Sequence, residues 1–157
     1  MNYQDIFHTG LSVSDLPGAI RFYELALGVK FTAPQRLEHF QIWSPEKSLE
    51  TIELTFAFSI EGPQHIEIQY GTPGSFWDPT LYRGDHVGLW VDDVAQEVRA
   101  MLDKGWRVKV CGAPPEAGYG AFAYMEPITP GGIVVELVPR DVKPAFERWW
   151  ATGVFQL

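Results

Sequence analysis

A single cysteine, Cys111, stands among 157 residues, which excludes an intramolecular disulfide and any zinc or iron–sulfur site assembled from thiolates. A metal ion would have to rest on histidine and carboxylate. Basic residues are also scarce. Twelve Lys and Arg against 20 Asp and Glu leave a formal charge of −8, which repels phosphate backbones and anionic lipid. No nucleic acid and no membrane partner is therefore expected. Residues 1–5 carry no basic run leading into an apolar core, and no apolar stretch is long enough to cross a bilayer, so the expected location is the cytoplasm. No cluster of Lys and Arg announces a coenzyme A or glutathione site. What is present, 46% apolar and 20% charged residues, is the composition of an ordinary packed chain with enough length for one buried core.

The chain contains a copy of itself. Residues 8–16, His8-Thr-Gly10-Leu11-Ser-Val13-Ser-Asp15-Leu16, lie without a gap over residues 86–94, His86-Val-Gly88-Leu89-Trp-Val91-Asp-Asp93-Val94. His, Gly, Leu, Val and Asp recur in register, the signature of a structural repeat. Asp15 and Asp93 each precede a helix-like stretch, 16–27 and 94–104, and are N-cap candidates. Ala19, Phe22, Tyr23 and Ala26 form an apolar stripe in the first, and Val94, Val98, Met101 and Leu102 in the second. Gly28 and Gly105 then end them.

Strand patterns follow in both copies. In the first, 50–60 and 64–70 alternate around Glu61-Gly62-Pro63 as a hairpin; in the second, 106–111, 119–125 and 133–138 take the same parts. Residues 34–48 and 112–118 read as connecting loops, and 71–84, rich in Gly and Pro, as the link between halves. The expected fold is α+β: two βαβββ repeats, about 5–71 and 83–140, forming one cupped mixed-sheet barrel with helices outside. Residues 141–157 are a tail whose stretch 143–150 forms a short helix, with Phe146, Trp149 and Trp150 covering the barrel or a partner subunit.

Side-chain parity then locates a site. Phe7, Thr9, Leu11 and Val13 share one strand face and His8, Gly10 and Ser12 the other; Val87, Leu89 and Val91 oppose His86, Gly88 and Trp90. In the closing strands Ile66 and Ile68 oppose Glu67, and Val135 and Leu137 oppose Glu136. Helices are expected on the apolar faces. The opposite faces would line one interior, where His8, Glu67, His86 and Glu136 converge. A lone His or Glu on a strand is ordinarily structural, but four in register across a repeat point to a divalent cation that neutralises the buried carboxylates. Imidazole with carboxylate suits Zn, Fe, Mn, Co or Ni better than Ca. Trp90, with Phe122 or Tyr124, is expected to approach the same cup.

These segments, with Phe22-Tyr23, Leu27-Gly28, Asp85-His86, Asp92-Asp93 and Gly131-Gly132 beside them, resemble the vicinal oxygen chelate superfamily: glyoxalase I, methylmalonyl-CoA epimerase, extradiol dioxygenases and bleomycin resistance proteins. The resemblance implies metal ligands on the first and last strand of each half, again His8, Glu67, His86 and Glu136. It implies a metal-dependent lyase, isomerase or epimerase that chelates adjacent oxygens of a small-molecule substrate and stabilises an enediolate. Alternatives are a non-haem Fe(II) ring-cleaving dioxygenase, matching His8, His86 and Glu136, and a binding or resistance protein without catalysis. Glu136 is the first candidate for the catalytic base. Glu53 is the second, because Thr51-Ile52-Glu53-Leu54 resembles an epimerase segment, with Leu54, Phe56 and Phe58 expected to pack outward and Glu53 to face the cup. The superfamily also allows a homodimer.

Overall fold

Both helices begin at their expected caps. The Asp15 carboxylate accepts from the Gly18 amide at 3.0 Å and that of Asp93 from the Gln96 amide at 2.9 Å, satisfying first-turn donors that the helix itself leaves unpaired. Gly28 closes the first helix at φ 71°, a conformation that glycine adopts without penalty. The computed structural model describes residues 2–81, 84–129 and 131–155. In chain order its elements are β1 (Ile6–Ser12), α1 (Leu16–Leu27), β2 (Gln35–Ser44), β3 (Ser48–Phe58), β4 (His65–Gly71), β5 (His86–Val91), α2 (Val94–Leu102), β6 (Arg107–Cys111), β7 (Ala123–Glu126), β8 (Val134–Pro139) and α3 (Lys143–Thr152), joined by short 3-10 turns. Strand, helix and three strands thus occur twice.

The strands close in the order β1-β4-β3-β2-β6-β7-β8-β5. Within each half the first and last strands run parallel, β1 with β4 and β5 with β8. Between halves, β1 pairs antiparallel with β5 and β2 with β6. The architecture is the mixed α+β barrel expected. One segment was misread: residues 34–48 do not form a loop, since β2 occupies most of them. Its register shifts between Leu37 and Phe40, and such a bulge puts two inward side chains three residues apart, which destroys the alternation by which a strand is recognised.

The two helices pack differently. Val94, Val98 and Met101 of α2 join Leu89, Val91, Val135 and Leu137 in one buried cluster outside the barrel, as the parity of β5 and β8 requires. On α1 only Leu16 is buried, while Phe22 and Leu25 are 63% and 89% exposed. The expected contact of Phe22 with the sheet is not made. The helix leans chiefly on β4.

A second cluster fills the interior with aromatic rings, Phe56, Phe58, Trp90, Tyr124, Trp149 and Trp150 among them. Phe7 belongs to it, contrary to its expected outward face. The β1–β5 register shifts between Ile6 and His8, and this irregularity turns Phe7 inward to stack on Trp90 at 3.7 Å. Helix α3 covers one side of the cluster. Segment 72–81 covers another, through Phe76 and the fully buried Trp77. No helix of the described residues is long and apolar enough to cross a membrane.

Candidate metal centre

The inner face is fixed by which residues stand directly opposite in the ladders, because such pairs project to the same side. His8 faces Gly88, and Gly10 faces His86. In the parallel ladders Gly10 lies beside Glu67, and Gly88 beside Glu136. Each half therefore brings one imidazole and one carboxylate to the β1–β5 seam, and glycine is what leaves room there. A Cβ on Gly10 would collide with the His86 ring, and one on Gly88 with the His8 ring.

One donor atom from each of His8, Glu67, His86 and Glu136 lies within 4.8 Å of all the others. The two Nε2 atoms are 2.9 Å apart. His8 Nε2 is 3.5 Å from Glu67 Oε2 and 3.2 Å from Glu136 Oε2; His86 Nε2 is 3.3 and 3.5 Å from the same oxygens. Donors about 2.1 Å from a cation stand about 3.4 Å apart in a tetrahedron and about 3.0 Å apart at adjacent corners of an octahedron, so these spacings suit a transition ion at their centre.

The chemistry of the donors fits as well. His86 Nδ1 donates to the Gly84 carbonyl at 2.8 Å, which in a neutral imidazole leaves the Nε2 lone pair aimed into the cluster. Glu67 Oε2 is buried and has no hydrogen-bond donor, an expensive arrangement that a cation relieves. Without a cation, protons take its place. Burial works against a charged His86, yet Glu136 and Glu67 outweigh it and raise the imidazole to about 10. Burial also works against ionised Glu136, yet His8 and His86 hold its carboxyl well below the usual range.

Two neighbours escaped the sequence reading as a matched pair. Phe58 stands opposite Glu67 and Tyr124 opposite Glu136, with ring centroids 5.2 Å from His8 and 4.9 Å from His86 respectively. Burial first, then Glu136 and Glu67, pushes the Tyr124 phenol well above its ordinary pKa. It stays protonated and can donate to Glu136. The equivalence of Glu67 and Glu136 in the repeat, extended one strand outward, is the signal that would have found both.

Glu53 lies elsewhere. Phe56 and Phe58 face inward beside Gln69 and Glu67, so the alternate residues, Glu53 among them, face out. The expected parity of β3 is inverted, because the apolar row of this strand fills the aromatic interior and does not meet a helix. Glu53 is 57% exposed and paired with Arg36 at 2.8 Å. It borders a groove of about 890 Å³ on the outer face, whose lining includes Arg36, Thr55, Tyr70 and Pro79. A Glu53→Gln chain is expected to keep wild-type metal content and turnover within about twofold, since exposed ion pairs contribute little; a tenfold loss would return Glu53 to the site.

Comparison with known proteins identifies the superfamily. Residues 7–124 match the family model of the glyoxalase/bleomycin resistance protein/dioxygenase superfamily. The chain is similar to the lactoylglutathione lyase of Escherichia coli O157:H7, 25% identical over 139 residues, covering 85% of this chain and 90% of that one. It is also similar to a probable chloroplastic lactoylglutathione lyase of Arabidopsis thaliana, 28% identical over 145 residues. That match takes in 88% of this chain, which spans only 37% of the plant protein. Among solved structures, methylmalonyl-CoA epimerase from Mycobacterium tuberculosis shares the fold with a TM-score of 0.54 at 20% identity, over 86% of this chain and 87% of that one.

Proposed function

Because the chain belongs to the glyoxalase/bleomycin resistance protein/dioxygenase superfamily, we propose that it is a divalent-metal-dependent lyase, isomerase or epimerase acting on a small molecule with two adjacent oxygens. The observation that carries this reading is the four-donor cluster of His8, Glu67, His86 and Glu136. The ion is Zn, Ni, Co, Mn or Fe, and when bound it supplies Lewis-acid polarisation of the substrate oxygens.

The chain's own residues do the rest. His8 and His86, buried and held over glycine, stay fixed in place. Glu136, at 13% side-chain exposure the more open of the two carboxylates, takes the proton from substrate carbon on its carboxylate and returns it. Tyr124, protonated beside it, steadies the carboxylate between those positions. A ring-cleaving dioxygenase is less well supported, because a two-His, one-carboxylate site leaves Glu67 without a task. The exposed Phe22 and Leu25 of α1 offer an apolar surface for a homodimer.

The test is metal analysis of the purified chain, followed by incubation in D2O with a panel of S-lactoylglutathione, methylmalonyl-CoA and catechols. Stoichiometric transition metal and metal-dependent deuterium entry at a substrate α-carbon, without oxygen uptake, are expected. Oxygen consumption with a catechol would replace this reading by the dioxygenase. Ligand binding without exchange, unaltered in Glu136→Gln, would replace it by a binding protein.

A further inference from the structure

The four donors form the floor of a cup whose upper part is filled by the protein's own rings. Phe7 and Phe58 flank His8 at 4.3 and 5.2 Å. Over them lies α3: Phe146 is 5.8 Å, Trp149 5.5 Å and Trp150 6.1 Å from Phe58. Trp150 also stacks face to face on His65, with centroids 3.6 Å apart and planes 20° from parallel. A substrate that reaches the floor needs one of these layers to leave.

Two elements cover the cup, and they are held differently. Segment 72–81, which delivers Phe76 and Trp77, is tied to the barrel by hydrogen bonds from the Gly71 amide to the Trp77 carbonyl (3.0 Å), from the Thr72 amide to the Glu53 carbonyl (3.0 Å) and from Lys47 Nζ to the Gly74 carbonyl (2.9 Å). Among the described residues, the polar contacts of α3 stay within the helix and its flanking turns: Lys143 with Glu147, Thr152 with the Arg148 carbonyl, the Gly153 amide with the Trp149 carbonyl and the Lys143 amide with the Arg140 carbonyl. Its hold on the barrel is aromatic. The indole Nε1 atoms of Trp149 and Trp150 are buried without a hydrogen-bond acceptor, as is that of Trp77 in the other cover, so the difference between the two lies in their tethers to the barrel.

We propose, on the metal-dependent reading above, that α3 is a displaceable plug and that the slot it vacates between His65, Phe7 and Phe58 takes a flat aromatic group attached to the substrate's two chelating oxygens. Ring stacking is tolerant of partner identity, so a substrate ring replaces the Trp150 indole on His65 while its oxygens meet the floor. The stack that closes the empty cup is the one that selects its occupant.

The test uses the full chain loaded with Co2+ and two bidentate probes that differ only in their body, benzohydroxamate and acetohydroxamate. The visible spectrum of the cobalt reads binding, and hydrogen exchange of the α3 amides reads displacement. Benzohydroxamate is expected to bind about tenfold or more tightly than acetohydroxamate and to speed exchange across residues 143–152. Trp150→Ala, which removes the indole that either probe must displace, is expected to strengthen both severalfold and to leave benzohydroxamate the tighter of the two. Equal affinities, or tight binding with α3 protection undiminished in the unmodified chain, would overturn the inference and leave the metal reading intact. Failure of Co2+ to bind, or of either probe to perturb its spectrum, would overturn both.

Discussion

A His86→Gln chain will hold transition metal at least about 100-fold more weakly than the wild type, since it loses a ligand outright and changes to supporting groups alone cost 10–100-fold. The residue is fully buried between both carboxylates. Thermal unfolding with and without Zn2+ or Ni2+ measures the loss. A ligand that binds only the folded chain stabilises it by about 4 kcal/mol at a thousandfold excess over its Kd, and at the same ion concentration that increment should fall to about 1.4 kcal/mol or less in the variant. Equal stabilisation of both chains would mean that the ion binds elsewhere.

The wild-type protein adds a pH signature to this result. His86 is raised from 6.5 to about 10 in the metal-free cluster. Its contribution to stability is therefore complete below about pH 6.5 and disappears as the pH climbs through 10. Glu136 is held low, so its contribution is present above the ordinary carboxylate range and is lost in acid. A cation entering the cluster must expel the proton on His86, and metal affinity should rise across the neutral and alkaline range. In His86→Gln the alkaline loss of metal-free stability should shrink.

Much of this site is legible in the sequence because strand parity is a strict rule and the repeat applies it twice. His8 and His86, Glu67 and Glu136 occupy corresponding places in two copies, and each opposes an apolar row in its own strand. Parity fails where the backbone breaks its period. The shift between Leu37 and Phe40 hid β2, and the one between Ile6 and His8 reversed Phe7. It misled differently at Glu53, where alternation was regular but both faces of β3 could accept apolar side chains. The assumption that a polar row faces the cup holds for the strands bearing His8, Glu67, His86 and Glu136 and fails for a strand that supplies the aromatic wall. Trp77 was hidden for another reason. A segment rich in Gly and Pro reads as an exposed link, and nothing local announces that Phe76 and Trp77 turn into the core.

The His-x-Gly pattern of the repeat carries more information than its histidines alone. His8 stands opposite Gly88 and Gly10 opposite His86, so each ring lies over the glycine of the other half, and neither half can form the site alone. Gly88→Ala should therefore displace His8, and Gly10→Ala should displace His86, because a Cβ at either position collides with ring atoms. Both variants are expected to lose metal affinity by at least about 100-fold, as a ligand deletion does, although neither glycine is a ligand. Isothermal titration with Zn2+ or Ni2+ measures this. The mechanism predicts strong coupling: in a His8→Gln background, Gly88→Ala should weaken binding by less than about threefold further, since the ring it displaces is already gone. Additive losses would show that Gly88 acts through the backbone of β5, and the reciprocal seat of the two rings would no longer explain why glycine recurs in both copies.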